Sequence, residues 1–317
     1  SKFRARYPYL RGSPARTIHG FVDQALEDME THNFIVRGFN GPDAAGNFSV
    51  TVGDPLELLY GENSNAPAPN SGAILTGINN SVTSLTLTPT GIGDIEYGAS
   101  GYVALGNKEI VAYTRSSDTL TITRGQLGTT AVAHTANERV QECLIYDSED
   151  VADIIYDLIV NQAGLSADWC DLVAWQTETA SFLGRLYNAV LPEPTSVNRL
   201  LSELIKHCGL ALWWDEIEMQ IRLQVLRPIS TDAVVYDQDV YIEDSFNTEE
   251  QPDLRVSQVW VKYGQSNPLK GEDEDNFQDF TPFVPVPFTP GDDLDVGESS
   301  VEHVKSRWIA HGAQSTA

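Results

Sequence analysis

The sequence predicts a mainly β protein of the α+β class, with a small all-β module and two short amphipathic helices. Three observations predict this fold class. Short runs rich in Thr, Val, Ile and Tyr recur between Gly, Asn and Ser-Asp turns over residues 73–146, a pattern typical of an all-β module. Apolar and polar residues alternate in further short runs before and after that module. A helical period of apolar residues appears after residue 150 and again after residue 196.

The first 60 residues predict strands and turns. Phe48, Val50 and Val52 alternate with polar residues, which indicates a strand with one buried face. Residues 34–39 predict a second strand, and the turn-forming residues 41–46 lie between the two, so we predict a β-hairpin. The composition then changes to Asn, Pro, Ser, Gly and Ala over residues 61–72, which predicts a solvated linker. Five strands are predicted beyond it, over residues 84–88, 101–105, 109–114, 119–123 and 139–146.

Two amphipathic helices follow the β module. For the first, Ser148 or Asp147 is the expected cap, Gly164 lies just past the end, and the apolar stripe is Val151, Ile154, Ile155, Leu158 and Ile159. The second is expected to stop at Gly209, and its stripe is Val197, Leu200, Leu201, Leu204, Ile205 and Cys208. Each helix therefore needs a partner surface for its apolar face.

The rest of the chain predicts β structure and exposed connections. A hairpin is expected over residues 210–214 and 219–225, and strands over 232–236 and 256–263. An acidic segment at 271–276 and a proline-rich segment at 282–290 predict exposed connections.

The charge of the chain excludes some classes of partner. The sequence has 317 residues and a formal net charge of −25, and its first 16 residues hold five basic residues and no acid. So large an acidic excess excludes sequence-independent binding of phosphate backbones as the main function, because that affinity comes from Lys and Arg. It also argues against docking on anionic lipid. The basic, aromatic-rich opening fits salt bridges to acidic partner surfaces better than a nucleic-acid site.

Other features of the sequence bear on the cellular compartment of the protein and on whether the chain is part of a longer product. No run approaches the roughly 18 to 20 apolar residues of a membrane span, and no secretory signal is visible. Cys143, Cys170 and Cys208 are odd in number and far apart, which predicts reduced, buried thiols rather than a disulfide framework. Because the chain begins with Ser1 in sequence typical of the middle of a domain, we expect it to be one piece of a longer product.

No sequence motif for catalysis or cofactor binding occurs: GxSxG, HExxH, GxxxxGK[ST] and a helix-opening GxGxxG are all missing. His207 and Cys208 point about 100° apart on a helix, so Cys208 is interpreted as a packed thiol. His134 is interpreted as a turn residue rather than a metal ligand. We therefore assign no catalytic, cofactor-binding or metal-binding residue.

Two weaker patterns leave alternatives open. Asp293, Asp295 and Gly297 have part of the rhythm of a calcium loop, but a solvated acidic loop is favoured because later ligands are missing. Trp213 and Trp214 are neighbours on a strand and so face opposite sides, one toward the core and the other toward an interface. Structural packing is favoured for them over stacking on a sugar.

Several segments together resemble known proteins. Residues 101–114 (GYVALGNKEIVAYT), 120–130 (LTITRGQLGTT) and 133–135 resemble a small β domain of tailed-bacteriophage tail proteins. The flanking segments are similar to baseplate hub, or tail-tip, proteins of phages with long non-contractile tails: KFRARYPYLRG at 2–12, FNGPDAAGNFSVTVGDPLELL at 39–59, PEPTS at 192–196 and SRWI at 306–309.

The resemblance implies an architecture. Barrel-like hub domains would carry the small β domain as an insertion. Residues 1–62 would be the first part of a hub β domain, 63–143 the inserted domain, 144–230 a helix-helix-hairpin α+β domain and 231–317 an incomplete second hub β domain. Three copies would surround the tail axis.

The resemblance also implies a function. The chain would be a structural protein of the virion, assembled in the host cytoplasm, and not an enzyme. It would close or extend the tail tube and contact the distal tail protein, the tape measure, and fibre or receptor-binding proteins during host attachment and DNA ejection. Acids facing the axis would let DNA pass without binding it, although a merely solubilising acidic surface explains the charge equally well. The alternatives are a distal tail ring protein and a carbohydrate-binding adhesin module.

Overall fold

The computed structural model describes residues 9–41, 43, 45–61, 64–227, 249, 256, 258–283 and 301–310. Over these residues the chain is mainly β with a few short helices, so the coarse fold class is confirmed. The chain divides into two compact units, one of Ser1–Val225 with Ser266–Gly271 and one of Leu226–Gln265 with Glu272–Ala317. The expected boundaries near residues 62 and 143 both lie within the first unit.

A three-stranded antiparallel sheet opens the first unit. Its order is β1-β2-β3, with strands β1 (Pro14–His19), β2 (Glu30–Asn40) and β3 (Ser49–Gly53). The β2–β3 pair is the predicted hairpin. The prediction of a buried face on its second strand is wrong, since Phe48 and Val50 are 64% and 43% exposed. The Asp43 carboxylate holds the turn by accepting hydrogen bonds from the Ala45 and Asn47 N–H groups, both at 2.9 Å. A short 3₁₀ helix, Pro55–Tyr60, follows and is capped by Asp54.

The segment after this helix is not the solvated linker that its composition predicts. Ser64, Ala66 and Pro67 are buried, and strand β4 (Asn65–Ala66) pairs with β13 (Thr195–Ser196). Asn70 is held by the Gln141 side chain and the Glu142 N–H. The prediction is wrong because the partners that bury this segment lie 70 to 130 residues further along the chain.

A six-stranded antiparallel sheet forms a nearly closed, barrel-like module. Its order is β10-β7-β8-β9-β6-β5, with strands β5 (Ala73–Ile74), β6 (Ser84–Thr88), β7 (Ser100–Leu105), β8 (Glu109–Ser116), β9 (Thr119–Gln126) and β10 (Val140–Glu142). The two edges meet where Ala73 bridges Arg139 and the Val140 N–H donates to the Gly72 carbonyl. Helix α1 (Ile92–Glu96) lies between β6 and β7. The interior is filled by fully buried aliphatic side chains, among them Ile74, Val103, Leu105, Val111, Leu120 and Val140.

The strand predicted over residues 139–146 is two strands. Its first part is β10, and its second part, β11 (Leu144–Asp150), leaves the barrel to pair with β12 (Leu186–Leu191). A short irregular step at Cys143 therefore carries the chain from one sheet to the next.

The helical part of the first unit confirms both predicted helices. Helix α2 (Val151–Tyr156) continues as a π turn, Asp157–Gln162, and its cap is Asp150, which accepts from the Ala152 N–H, rather than Ser148 or Asp147. Helix α3 (Leu172–Phe182) was not predicted, and helix α4 (Val197–Cys208) ends at Gly209 in the left-handed conformation as expected. The predicted hairpin is β14 (Leu210–Asp215) with β15 (Gln220–Val225).

The described part of the second unit is a three-stranded sheet of order β17-β16-β18. Strand β16 (Gln258–Gln265) pairs antiparallel with β17 (Phe277–Phe283) and parallel with β18 (Val301–Lys305). The predicted strand at 256–263 is thus observed. The segment 271–276, predicted to be an exposed connection, is an exposed turn only over residues 271–273, because a 3₁₀ helix, Glu274–Asn276, follows and Asn276 is buried. Pro282, by contrast, pairs opposite Trp260 within β17 rather than in a connection, which an edge strand permits. The predicted strand at 232–236 lies outside the described residues.

Candidate interaction surfaces

At one end of the barrel, a buried network of charged side chains connects β8, β9 and the loop before β10. Glu109, at the start of β8, is fully buried, and its carboxylate accepts two hydrogen bonds from the Arg124 guanidinium at 2.8 and 2.7 Å. It also accepts from the N–H groups of Gly125 and Val132, at 2.8 and 3.0 Å. The His134 ring lies between two acids, with Nε2 3.2 Å from Glu109 and Nδ1 2.7 Å from Glu138.

The network keeps both of its acids, Glu109 and Glu138, deprotonated. Burial by itself would raise the pKa of Glu109, but the hydrogen bonds from Arg124, Val132, Gly125 and His134 outweigh it and lower the pKa to about 2. The same balance, with Lys108 as the main donor, lowers the pKa of Glu138 to about 2. Both acids are therefore carboxylates at neutral pH and have their acceptor sites occupied by the protein.

The prediction that His134 is a turn residue is therefore wrong, because its ring is enclosed between two carboxylates. His134 is buried and forms an isolated bridge with Ile78. In the described part of the chain, no group of three or more His, Cys, Asp or Glu side chains has an arrangement that could hold a metal ion. We interpret the Glu109–Arg124–His134 network as structural, because every member contacts another member rather than an open cavity.

An aromatic groove lies where the N-terminal sheet meets the β14–β15 hairpin, and its volume is about 260 Å³. Ten residues line it: Pro14, Ala15, Arg16, Asn33, Phe34, Ile35, Pro55, Trp169, Trp214 and Met219. Asn33 sets this junction, since its N–H and its side-chain amide both donate to the Glu216 carbonyl, at 2.8 and 2.9 Å. Its own carbonyl accepts from Trp214 Nε1 at 2.8 Å. The Trp214 ring stands edge-on to Trp169, with centroids 5.6 Å apart. The groove is therefore a rigid, largely apolar slot with one cation, Arg16, in its lining.

The tryptophan pair behaves as its alternation predicts. Trp214 is 7% exposed and packs in the groove wall, whereas Trp213 is 42% exposed on the other face of β14. Trp213 lies opposite Arg222, which pairs with Asp215 at 3.2 Å. The structure thus presents one open indole rather than a platform of two.

Exposed apolar side chains are concentrated near the start of the chain. Of the 19 large hydrophobic residues that are exposed among the described ones, eight lie within residues 9–60: Tyr9, Phe21, Val22, Leu26, Phe48, Val50, Leu58 and Tyr60. Three of them occupy the β1–β2 loop, Gly20–Met29, where Val22 is fully exposed. The loop thus brings three exposed apolar side chains, Phe21, Val22 and Leu26, into one short segment, which makes it the candidate surface for binding another macromolecule.

The other residues considered as reactive groups are the three cysteines and Asp54. Burial raises the pKa of each of the thiols of Cys143, Cys170 and Cys208 to about 12, and all three are free, so they are poor nucleophiles. Burial also raises the pKa of Asp54, but this carboxylate caps the helix at Leu56, at 2.7 Å. The acidic loop with Asp293, Asp295 and Gly297 lies outside the described residues.

Sequence reasoning missed the groove and the loop. The groove assembles side chains from six separate segments between residues 14 and 219, so no local pattern marks it. A signal for the loop was present, since Phe21 and Val22 are adjacent apolar residues in a stretch otherwise dominated by polar and acidic ones.

None of the described helices is long and apolar enough to cross a membrane. No protein-family model matches the chain. No curated protein matches it either.

Proposed function

We propose that this chain is a structural protein of a bacteriophage tail, a baseplate hub subunit that closes or extends the tail tube. In this role it binds other copies of itself and further tail proteins, and it has no catalytic activity. It would be located at the tail tip of the virion.

The observation that carries the proposal is the concentration of exposed apolar side chains on the N-terminal sheet and its β1–β2 loop. A subunit of a permanent assembly needs such surfaces, because obligate interfaces are more apolar than ordinary protein surfaces. Three acids of the same unit, in contrast, are engaged in a cap, a turn and the barrel network, namely Asp54, Asp43 and Glu109. The resemblance of residues 101–135 and their flanks to tail proteins supplies the identity of the assembly.

The test is the composition and symmetry of purified virions. Quantitative mass spectrometry is expected to find this chain in particles, and cryo-electron microscopy to place three copies around the tail axis. Six copies in a ring would favour the distal tail ring protein instead. Absence of the chain from particles would contradict every tail role, including the adhesin alternative, for which the half-exposed Trp213 is the available stacking surface.

The same reconstruction tests a use for the charge of −25. If acids face the tail axis, they repel the phosphates of passing DNA and keep it from binding. A basic or uncharged lumen, with the acids on the outer wall, would reduce their role to solubility.

A further inference from the structure

The β1–β2 loop is a preformed apolar tip. Phe21 and Val22 are 84% and 101% exposed, and Leu26 is 63% exposed. The tip is nevertheless ordered by its own hydrogen bonds, since the Phe21 N–H donates to the Gln24 side chain at 3.1 Å and the Asp28 N–H to the Ala25 carbonyl at 3.0 Å. A surface held in shape before binding loses less conformational entropy when it binds. The apolar tip is therefore suited to insertion into a complementary slot.

The aromatic groove is such a slot. Its volume of about 260 Å³ is below the roughly 300–1,000 Å³ of a typical small-molecule pocket, and its walls are mostly apolar or aromatic. These properties suit one or two protruding side chains of a protein partner, because an aromatic anchor in a desolvated pocket is the usual centre of a protein interface.

The tip and the lining of the groove carry opposite charges. The tip carries Asp23, Glu27 and Asp28, all exposed, and no base. Arg16 is the one charged residue in the lining; outside the lining, Arg11 and Arg37 lie on the same sheet, Arg37 pairs with Glu57, and Asp54 and Glu216 are neighbouring carboxylates. Within the part of the chain that the structure describes, no carboxylate pairs with Arg16.

A chain cannot fill its own groove with its own tip. The groove lies at the Pro14–Ile35 end of the β1–β2 ladder and the tip beyond its His19–Glu30 end. Gly20 is five positions beyond Ala15 along the strand, a span of about 17 Å at the usual rise per residue. A tip that fills the groove therefore has to come from another molecule.

We propose that the apolar tip of one copy of this chain, with Phe21 as its anchor and Val22 beside it, inserts into the aromatic groove of a second copy. The acids of the tip then face Arg16 and Arg11 of the receiving copy. The contact is heterologous, because two different surfaces meet, and such contacts close into rings when the rotation between copies allows it. This inference deepens the proposed function, on which its expectation of a ring rests.

The test uses the self-association of the purified 317-residue chain, measured by native mass spectrometry and light scattering over a range of concentrations. The double variant Phe21→Ser/Val22→Ser removes the tip, and Arg16→Glu reverses the charge of the groove. Each is expected to weaken self-association by at least about tenfold. The altered side chains are solvent-exposed, and circular dichroism is expected to match that of the wild type.

The decisive measurement is a mixture of the two variants. The tip-deficient copy keeps its groove and the groove-deficient copy keeps its tip, so the mixture is expected to form one-to-one heterodimers that grow no further. Matched controls are Ile95→Ser, which removes an apolar side chain that is 79% exposed on the barrel, and Arg199→Glu on α4. Both controls are expected to associate like the wild type.

Three results would overturn the inference: a wild-type chain that stays monomeric at all concentrations, variants that associate as strongly as the wild type, or a mixture without heterodimers. These failures are distinct from failure of the proposed function. A virion protein that is monomeric in solution would refute only the tip-to-groove contact, whereas complementation by a chain absent from virions would refute only the tail role.

Discussion

Glu109 shows how one buried carboxylate joins parts of the barrel that are distant in sequence. It accepts hydrogen bonds from Arg124 and Gly125 on β9 and from Val132 in the loop before β10, and it contacts the His134 ring. A buried carboxylate is stable only when its acceptor sites are occupied in this way. The fully buried position of this acid therefore makes the barrel dependent on a single ionised group.

Stability is expected to fall in acid because of this group. The pKa of Glu109 is about 2 in the fold against 4.5 for an ordinary glutamate, so the unfolded chain takes up the proton first as the pH is lowered. The contribution of Glu109 to the free energy of unfolding is therefore fully present above about pH 5 and is lost as the pH falls from there toward 2, and Glu138 contributes in the same direction. Denaturant titrations at pH 7, 4 and 3 measure this slope.

The variant Glu109→Gln tests whether Glu109 causes the loss of stability in acid. It is expected to lose about 3 kcal/mol at pH 7, because Arg124 is left buried beside a neutral group, and to show a shallower decrease in acid. Glu27→Gln, at an exposed acid of the β1–β2 loop, is the matched control and should behave like the wild type. Equal stability of Glu109→Gln and the wild type would show that the network contributes nothing.

Helix α1 depends on a close contact between its first turn and the β8–β9 turn. The Asp118 carboxylate, in the β8–β9 turn, accepts from the Gly91 N–H and, at 2.9 Å, from the Gly93 N–H, so another element caps the start of this helix. A Cβ atom on Gly93 would overlap the backbone oxygen of Ser117. Gly93 is thus required by the close approach of the two backbones.

Gly93→Ala is accordingly expected to destabilise the chain by about 1 to 3 kcal/mol, since the turn has to move to admit a methyl group. Gly101→Ala is the control, because its Cβ would meet Tyr113 at an ordinary 3.4 Å. Thermal unfolding followed by circular dichroism compares the two. A Gly93→Ala midpoint equal to that of Gly101→Ala would contradict the close contact.

Elements whose signal is local were predictable from the sequence. Helix α4 follows from one apolar stripe and from Gly209, and the β2–β3 hairpin from alternation around a turn. Helix α3 escaped because its apolar residues do not form a stripe: Trp175 is buried, whereas Val173 and Phe182 are 72% and 54% exposed. The β4 segment escaped because its burial comes from β13, far along the chain.

The same distinction holds for the candidate surfaces. Trp213 and Trp214 could be assigned to opposite faces, because a strand alternates by geometry alone. The groove around Trp214 could not be predicted, since Asn33, Trp169 and Trp214 meet only once the N-terminal sheet and the β14–β15 hairpin are packed together.

At the scale of the whole molecule, the barrel is built as a self-contained module. Its six strands form a nearly closed sheet, and its core cluster lies entirely between Ile74 and Val140. A closed sheet with its own core satisfies its backbone groups and buries its apolar side chains without help from other elements.

A fragment of residues 67–143 is therefore expected to fold alone. Its far-ultraviolet circular dichroism should be that of a β protein, and it should unfold cooperatively on heating. Leu120→Ala within the fragment, at a side chain with no exposure, should lower its stability by about 2 to 5 kcal/mol. A fragment without cooperative unfolding would show that the module needs the rest of the first unit.

The barrel also has its two chain ends side by side, as the hydrogen bonds between Asn70 and the Gln141–Glu142 segment show. Removing the module, or replacing it with another whose ends are equally close, would leave the flanking sheets nearly undisturbed, because only a short loop would have to be closed. At the level of the gene, two breakpoints about 76 codons apart therefore delimit a cassette that recombination can exchange. Laboratory grafting of a foreign domain between Pro67 and Cys143 should use the same junctions.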